Sequence, residues 1–243
     1  MVLTLLLAGL MMRTVSDTSA LWRLHSGRLD TFSEARAALQ KISTDLASAP
    51  AFPEATRDMA VLCIRPHPQT AVDSPPGMEF ALLTQMPVPG QSDIRAVGYF
   101  CDWDPTLHGP VLRRQTAPAT ATAEALRKLR PEEAHFFPWN LLPRTAPSEV
   151  LAQFVWDLRV HIPGPDTVGT PVPATGLSFN RQLPRWIEIR FKAVSPFALE
   201  PGAAFPRDAM AWQTGPLSWA DTPLQKALLK HTREFATRIP LAP

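Results

Sequence analysis

The sequence predicts an α+β protein: one long N-terminal helix packed on antiparallel β-sheet, with a short helix near the C-terminus. Three observations predict it. Residues 2–49 contain no proline, whereas all 27 prolines of the 243-residue chain lie from Pro50 onward. Proline costs about 3 kcal/mol inside a helix, so this partition separates a helical start from a body of strands and loops. After Pro50 the hydrophobic period changes from helical to alternating. Near the end, Asp221-Thr222-Pro223 supplies a capping residue followed by proline at an early helical position.

The first helix divides in two. Val2, Leu3, Leu5, Leu6, Leu7, Ala8, Leu10, Met11 and Met12 make a run without charge until Arg13. Beyond it, Phe32, Ala35, Leu39, Ile42 and Leu46 follow a 3-4-3-4 spacing and share one face, predicting contact with a sheet. Arg36, Gln40, Lys41, Thr44 and Asp45 fall elsewhere, and Val15, Trp22 and Leu29 form a looser stripe. Ser48-Ala49-Pro50 ends the helix, because the residue before proline is driven out of the α region. The chain thus reads as an apolar segment over 1–15, an amphipathic helix over 16–49 and a sheet domain over 55–243.

In the sheet domain, 59–64 and 79–86 are apolar runs bounded by turn residues. Residues 94–102 and 110–115 read as a hairpin across the turn 105–109, and 119–130 has helical composition. Residues 136–142 carry Pro138 and read as an edge strand or loop. Two segments alternate strictly. In 154–162, Phe154, Trp156, Leu158, Val160 and Ile162 oppose Val155, Asp157, Arg159 and His161; in 186–193, Ile187, Ile189, Phe191 and Ala193 oppose Trp186, Glu188, Arg190 and Lys192. One buried and one charged face is the habit of antiparallel sheets. Residues 163–184 read as a Pro/Gly-rich loop. In the C-terminal helix Leu224, Ala227 and Leu228 face inward, and 235–241 is a last strand.

Composition excludes several functions. A net charge of +2 from 24 basic and 22 acidic residues gives no reason to expect a nucleic acid. Two cysteines, Cys63 and Cys101, make neither a metal site nor a disulfide framework; they read as buried thiols, or as a pair if their strands are neighbours in an oxidising compartment. No phosphate-binding glycine loop, nucleophile elbow or zinc-type His/Cys spacing is present, and the six histidines are scattered. Asp102 and Asp104 are the one local carboxylate pair, a weak candidate for a divalent cation and otherwise a plain turn. Phe136, Phe137 and Trp139 read as core packing under a loop or as a binding surface. Trp22 suits a membrane interface or burial against the sheet or a neighbouring subunit. The sequence thus points to no catalytic site and no cofactor.

The stretch 18–23, then Phe32, then 35–39, Ile42, Asp45 and Leu46, resembles the helix of the Verru_Chthon cassette protein C family, of type IV pilin-like proteins. It is similar, more distantly, to the J-type minor pseudopilins of type II secretion. Gly98-Tyr99-Phe100, Arg113-Arg114 and the strand 186–194 also look like the cassette family. The resemblance implies a non-catalytic minor pseudopilin-like subunit of an envelope-spanning filament or secretion assembly. It further implies other pilin-like subunits as partners, the inner membrane as the site before assembly, and a periplasmic globular domain. Assembly would proceed by bundling of the apolar segment with Trp22 at its edge, while Phe32, Ala35, Leu39, Ile42 and Leu46 hold the helix to the sheet. The alternative is a membrane-anchored periplasmic enzyme or ligand-binding protein.

Pilin precursors carry a basic leader, a glycine at the cut site and a glutamate five residues into the mature chain; the sequence from Met1 shows none of these and opens directly on the apolar run. Eleven helical residues span about 17 Å against the roughly 30 Å of a bilayer core. The expectation is therefore that the true start lies upstream of Met1. A cleavable signal peptide ending at Thr18-Ser19-Ala20 competes with a membrane-helix remnant and with a soluble helix.

Overall fold

The computed structural model describes residues 2–50, 61–66, 77–88, 91–128, 138–162, 177–179, 183–196, 205, 228 and 230–241. Helix α1 (Val2–Ala47) leads into β1 (Leu62–Pro66), β2 (Met78–Val88), β3 (Gln91–Asp104) and β4 (Gly109–Thr116). Helix α2 (Ala119–Lys128), a 3-10 turn (Pro138–Leu141) and strands β5 (Ser148–Gln153), β6 (Val155–His161), β7 (Leu177–Phe179), β8 (Trp186–Val194) and β9 (Thr232–Pro240) follow. The fold is α+β, as the proline partition predicts. Of the expected C-terminal helix, Leu228, Lys230 and His231 are described; all three are helical and Leu228 is buried. Its opening at Asp221, with Leu224 and Ala227, lies outside the described residues.

Two antiparallel sheets form, one in the order β5-β4-β3-β2-β1-β7 and one in the order β6-β8-β9. Their apolar faces and one face of α1 enclose the main core, which includes Leu62, Phe80, Leu82, Val97, Tyr99, Leu112, Leu158, Ile187 and Phe191. Helix α1 touches β2, β5, β8 and β9 and so bridges both sheets. Ala35, Leu39, Ile42 and Leu46 are buried there, and the Phe32 ring lies tilted against Phe235 with ring centroids 5.6 Å apart. Each fully buried aliphatic contributes about 1.5–3 kcal/mol. The helix ends as its proline requires: the Ser48 amide bonds to the Thr44 carbonyl, and the Gln85 amide takes the Ser48 carbonyl at 2.8 Å, tying the helix end to β2. On the far side of the larger sheet, α2 and the 3-10 turn cover a second, smaller core.

The structure departs from or adds to the sequence reading at four places. The segment 154–162 is not one uninterrupted alternation. Phe154 and Asp157 have positive φ, 54° and 57°, and the pairing of β6 with β8 shifts register between Trp156 and Arg159. The extra residue is a β-bulge, which reverses the face of everything before it. Val155, Leu158, Val160 and Ile162 therefore enter the main core, whereas Trp156 packs on the opposite side with Trp103, Val194, Phe205 and Leu228. Phe154 is the corner at which the chain leaves one sheet for the other. Its ring lies over Gly109, where a Cβ would come within 2.7 Å of it, so a residue without a side chain is needed there.

The second is β5, an edge strand in a stretch without alternation to which the sequence assigned no element. The third is β7, three residues within the supposed loop 163–184, paired with β1. The fourth concerns residues 138–141, read as edge strand or loop, which form a 3-10 turn. Phe136 and Phe137 lie outside the described residues. Trp139 packs on the second core, close to Gly98, and carries the Arg65 guanidinium 4.4 Å from its ring.

Candidate functional site

Helix α1 runs unbroken for 46 residues, but the body accompanies only its second half. From Val2 to His25 every described side chain is exposed apart from a half-buried Ser19. Leu10 is 64% exposed, Met12 80% and Trp22 72%, and Val2, Leu6, Leu7, Met11, Val15, Leu21 and Leu29 are comparable. The backbone of Leu3 and Leu5 belongs to the helix, while their side chains lie outside the described ones. The stripe Val15, Trp22 and Leu29 is thus exposed among the described residues, and Trp22 is not buried against the described sheet.

Two of the hydroxyls of this half are withdrawn into the helix. Thr14 donates to the Met11 carbonyl at 2.8 Å, and Thr18 donates to the Thr14 carbonyl at 2.7 Å. Hydroxyls satisfied within their own helix present mainly a methyl group to a neighbour, as suits contact with another apolar helix. Gly9, with no atom within 4 Å of the position a Cβ would occupy, leaves a shallow groove lined also by Val2, Leu6, Leu10 and Arg13.

The docked half of α1 is tied to the sheet by a buried ionic lock. Asp45 is 2% exposed. Its Oδ2 accepts from Tyr99 Oη at 2.6 Å and from Arg114 Nε at 2.8 Å, and Arg114 Nη2 lies 2.7 Å from the same oxygen as an ion pair. Lys41 approaches the other oxygen at 3.5 Å. Burial, and then the Asp45 carboxylate, push the Tyr99 hydroxyl well above its ordinary pKa, so it stays protonated and donating. The partners of Arg114 raise its pKa despite burial. The lock joins α1 to β3 and β4 across the core.

Asp45 was assigned to the polar side of the helix, and this is corrected. With Ala35, Ala38 and Ile42 it follows the same 3-4-3 spacing, so its position on the buried face was present in the sequence. Its type argued against burial because only a partner makes a buried carboxylate tolerable, and Arg114 lies 69 residues away.

Asp102 and Asp104 are brought together around an arginine. Arg113 Nη2 reaches Asp104 at 2.8 Å and Arg113 Nε approaches Asp102 at 3.5 Å. Asp104 Oδ1 also accepts the amides of Thr106 and Leu107, which holds its carboxyl below the usual range. This is the geometry of a capped turn. Cys63 and Cys101 are buried free thiols. They sit on strands separated by β2, and Cys101 belongs to the main core while Cys63 alternates away from it between Leu62 and Ile64. Burial pushes both thiols up to about 12, so neither presents a thiolate.

Other ionic groups serve the body. Glu79, wholly buried, is held between Arg65 and Arg144. On the outer face of the smaller sheet, Asp157, Arg159, His161, Arg190, Lys192 and Glu234 line a hollow of about 130 Å³. Its carboxylates are engaged: Asp157 with Arg159 and Lys192, Glu234 with Arg190. Among the described residues, no group of three or more His, Cys, Asp or Glu gathers at one point. No family model, curated protein or solved structure matches the chain.

Proposed function

We propose that the protein is a non-catalytic, minor pseudopilin-like subunit that joins an envelope filament or secretion assembly by helix bundling. One observation carries the reading: a helix continues for about 25 residues beyond the body that anchors it, and its first stretch, from Val2 to Met12, is apolar on all sides and exposed wherever its side chains are described. A helix apolar all round is covered by lipid or by other helices, since no single face of a domain can enclose it. Burial of each leucine or methionine in such a bundle contributes about 1.5–3 kcal/mol. The sequence resemblance to Verru_Chthon cassette protein C supports the same role and makes other pilin-like subunits the partners. In this reading the apolar tip resides in the inner membrane before assembly and the body lies in the periplasm. Among the described residues no helix is long and apolar enough to cross a membrane.

The test is Leu6→Arg in the native host. Leu6 contributes nothing to the body, so the variant should melt like the wild type, yet lose membrane association and co-purification with pilin-like subunits. A Leu6→Arg protein that keeps both would contradict the proposal and favour an anchored enzyme or ligand-binding protein.

A further inference from the structure

A second surface lies where the free half of α1 meets the rim of the body. Arg28, Phe32, Lys230, His231, Thr232 and Arg233 line a groove of about 280 Å³ there. Arg28 donates to His231 Nδ1, and the Arg233 guanidinium lies 5.5 Å from the Phe32 ring. Arg28, Lys230 and Arg233 form no ion pair among the described residues, unlike Arg113, Arg114, Arg144, Arg159 and Arg190. Thr232 Oγ1 is shut from solvent and holds no hydrogen bond. In a chain of net charge +2, this concave site gathers three cations without a carboxylate.

The helix shows what approaches it. Leu10, Leu21, Arg28, Leu39 and Leu46 are separated by eleven, seven, eleven and seven residues, which keeps them in one narrow stripe of an α-helix. Leu39 and Leu46 dock on the body, while Leu21 and Leu10 continue the same stripe exposed. A partner laid along Leu10 and Leu21 therefore runs into the groove. The floor is the Phe32 ring, and the cations stand around it. That combination fits a side chain with an apolar stem and an anionic head better than a bare phosphate.

We propose that the groove is a carboxylate-binding site, which takes an acidic side chain from a partner helix seated on the exposed stripe of α1. The proposal rests on the bundling role above and adds to it a polar contact that fixes the partner's register. The positive field is already felt within the groove: burial, Arg28 and Lys230 together lower the pKa of His231.

The experiment titrates the purified full-length chain with two synthetic amphipathic helical peptides, identical except for one glutamate or glutamine beside a leucine stripe. The His231 ring is followed by NMR, and inorganic phosphate serves as a separate probe. At low salt the glutamate peptide should bind about tenfold more tightly, the worth of one charge-assisted contact. It should also raise the pKa of His231. Lys230→Glu/Arg233→Glu, both exposed and so harmless to the fold, should abolish the preference. Equal affinity of the two peptides, or phosphate shifting the ring while the glutamate peptide leaves it unmoved, would overturn the proposal. Because the preference is read on the isolated chain, its absence leaves the Leu6→Arg result, and with it the bundling role, standing.

Discussion

The two halves of α1 are one continuous helix built under opposite constraints. Between Thr31 and Leu46, small and large residues alternate so that Ala35 and Ala38 allow close approach and Leu39, Ile42 and Leu46 fill the space beyond. A buried Asp45 then fixes the helix rotation. Between Val2 and Leu29 no such economy is visible: the described large apolar side chains stand exposed, and from Val2 to Met12 they occupy every side. The difference teaches that the body folds around the second half and needs nothing from the first. A surface that the fold does not use, and that water disfavours, is free to serve assembly.

The comparison breaks most readily at the lock. Asp45→Ala leaves the Arg114 guanidinium buried beside Tyr99 with only the exposed Glu149 carboxylate, 3.9 Å from Nη1, as counter-charge, and removal of one partner from a buried pair costs about 3–5 kcal/mol. Urea unfolding should show that loss, and the double variant Asp45→Ala/Arg114→Met should recover much of it. Asp45→Ala with wild-type stability would mean that the helix is not held as described.

The next largest effect sets the halves side by side. Ile42→Ala opens a cavity at a fully buried site and should cost about 2–5 kcal/mol, whereas Leu10→Ala should stay within about 0.5 kcal/mol. Similar losses at both positions would erase the distinction between docked and free helix.

The smallest effect concerns the rim. The pKa of His231 is lower in the folded chain than in the unfolded one, so between the two values only the unfolded chain holds the proton. Stability therefore rises with pH across that window, and this contribution is lost as pH falls through the ordinary histidine range. His231→Phe should flatten that part of a stability profile measured from about pH 8 to about pH 5. An unchanged slope would remove His231 from the positive cluster.

Much of this was legible in the sequence, for identifiable reasons. The docked stripe declares itself because Phe32, Ala35, Leu39, Ile42 and Leu46 obey helical spacing, and β8 because its alternation is uninterrupted. The free half is legible because no polar residue breaks it from Val2 to Met12 except Thr4. Pattern reading fails where geometry interrupts the period. The bulge at Asp157 moves Phe154 and Trp156 off the face of Leu158, and neither residue type announces it. Strand β5 is an edge whose half-exposed residues need no alternation, and β7 exists only through its pairing with β1. The ionic lock and the rim groove depend on distant partners. Arg28 and His231 are 203 residues apart, and no local signal joins them.

The central claim is that the free half of α1 faces other molecules while the docked half faces its own body. Photo-crosslinking along the helix in native membranes tests it most directly, with a photoreactive residue placed in turn at Leu6, Leu10, Leu21, Ala35 and Leu39. The account predicts adducts to other subunits or to lipid from Leu6, Leu10 and Leu21, and adducts only within the chain from Ala35 and Leu39. Adducts within the chain from Leu6 and Leu10 would show that the body covers its own helix, and would contradict it.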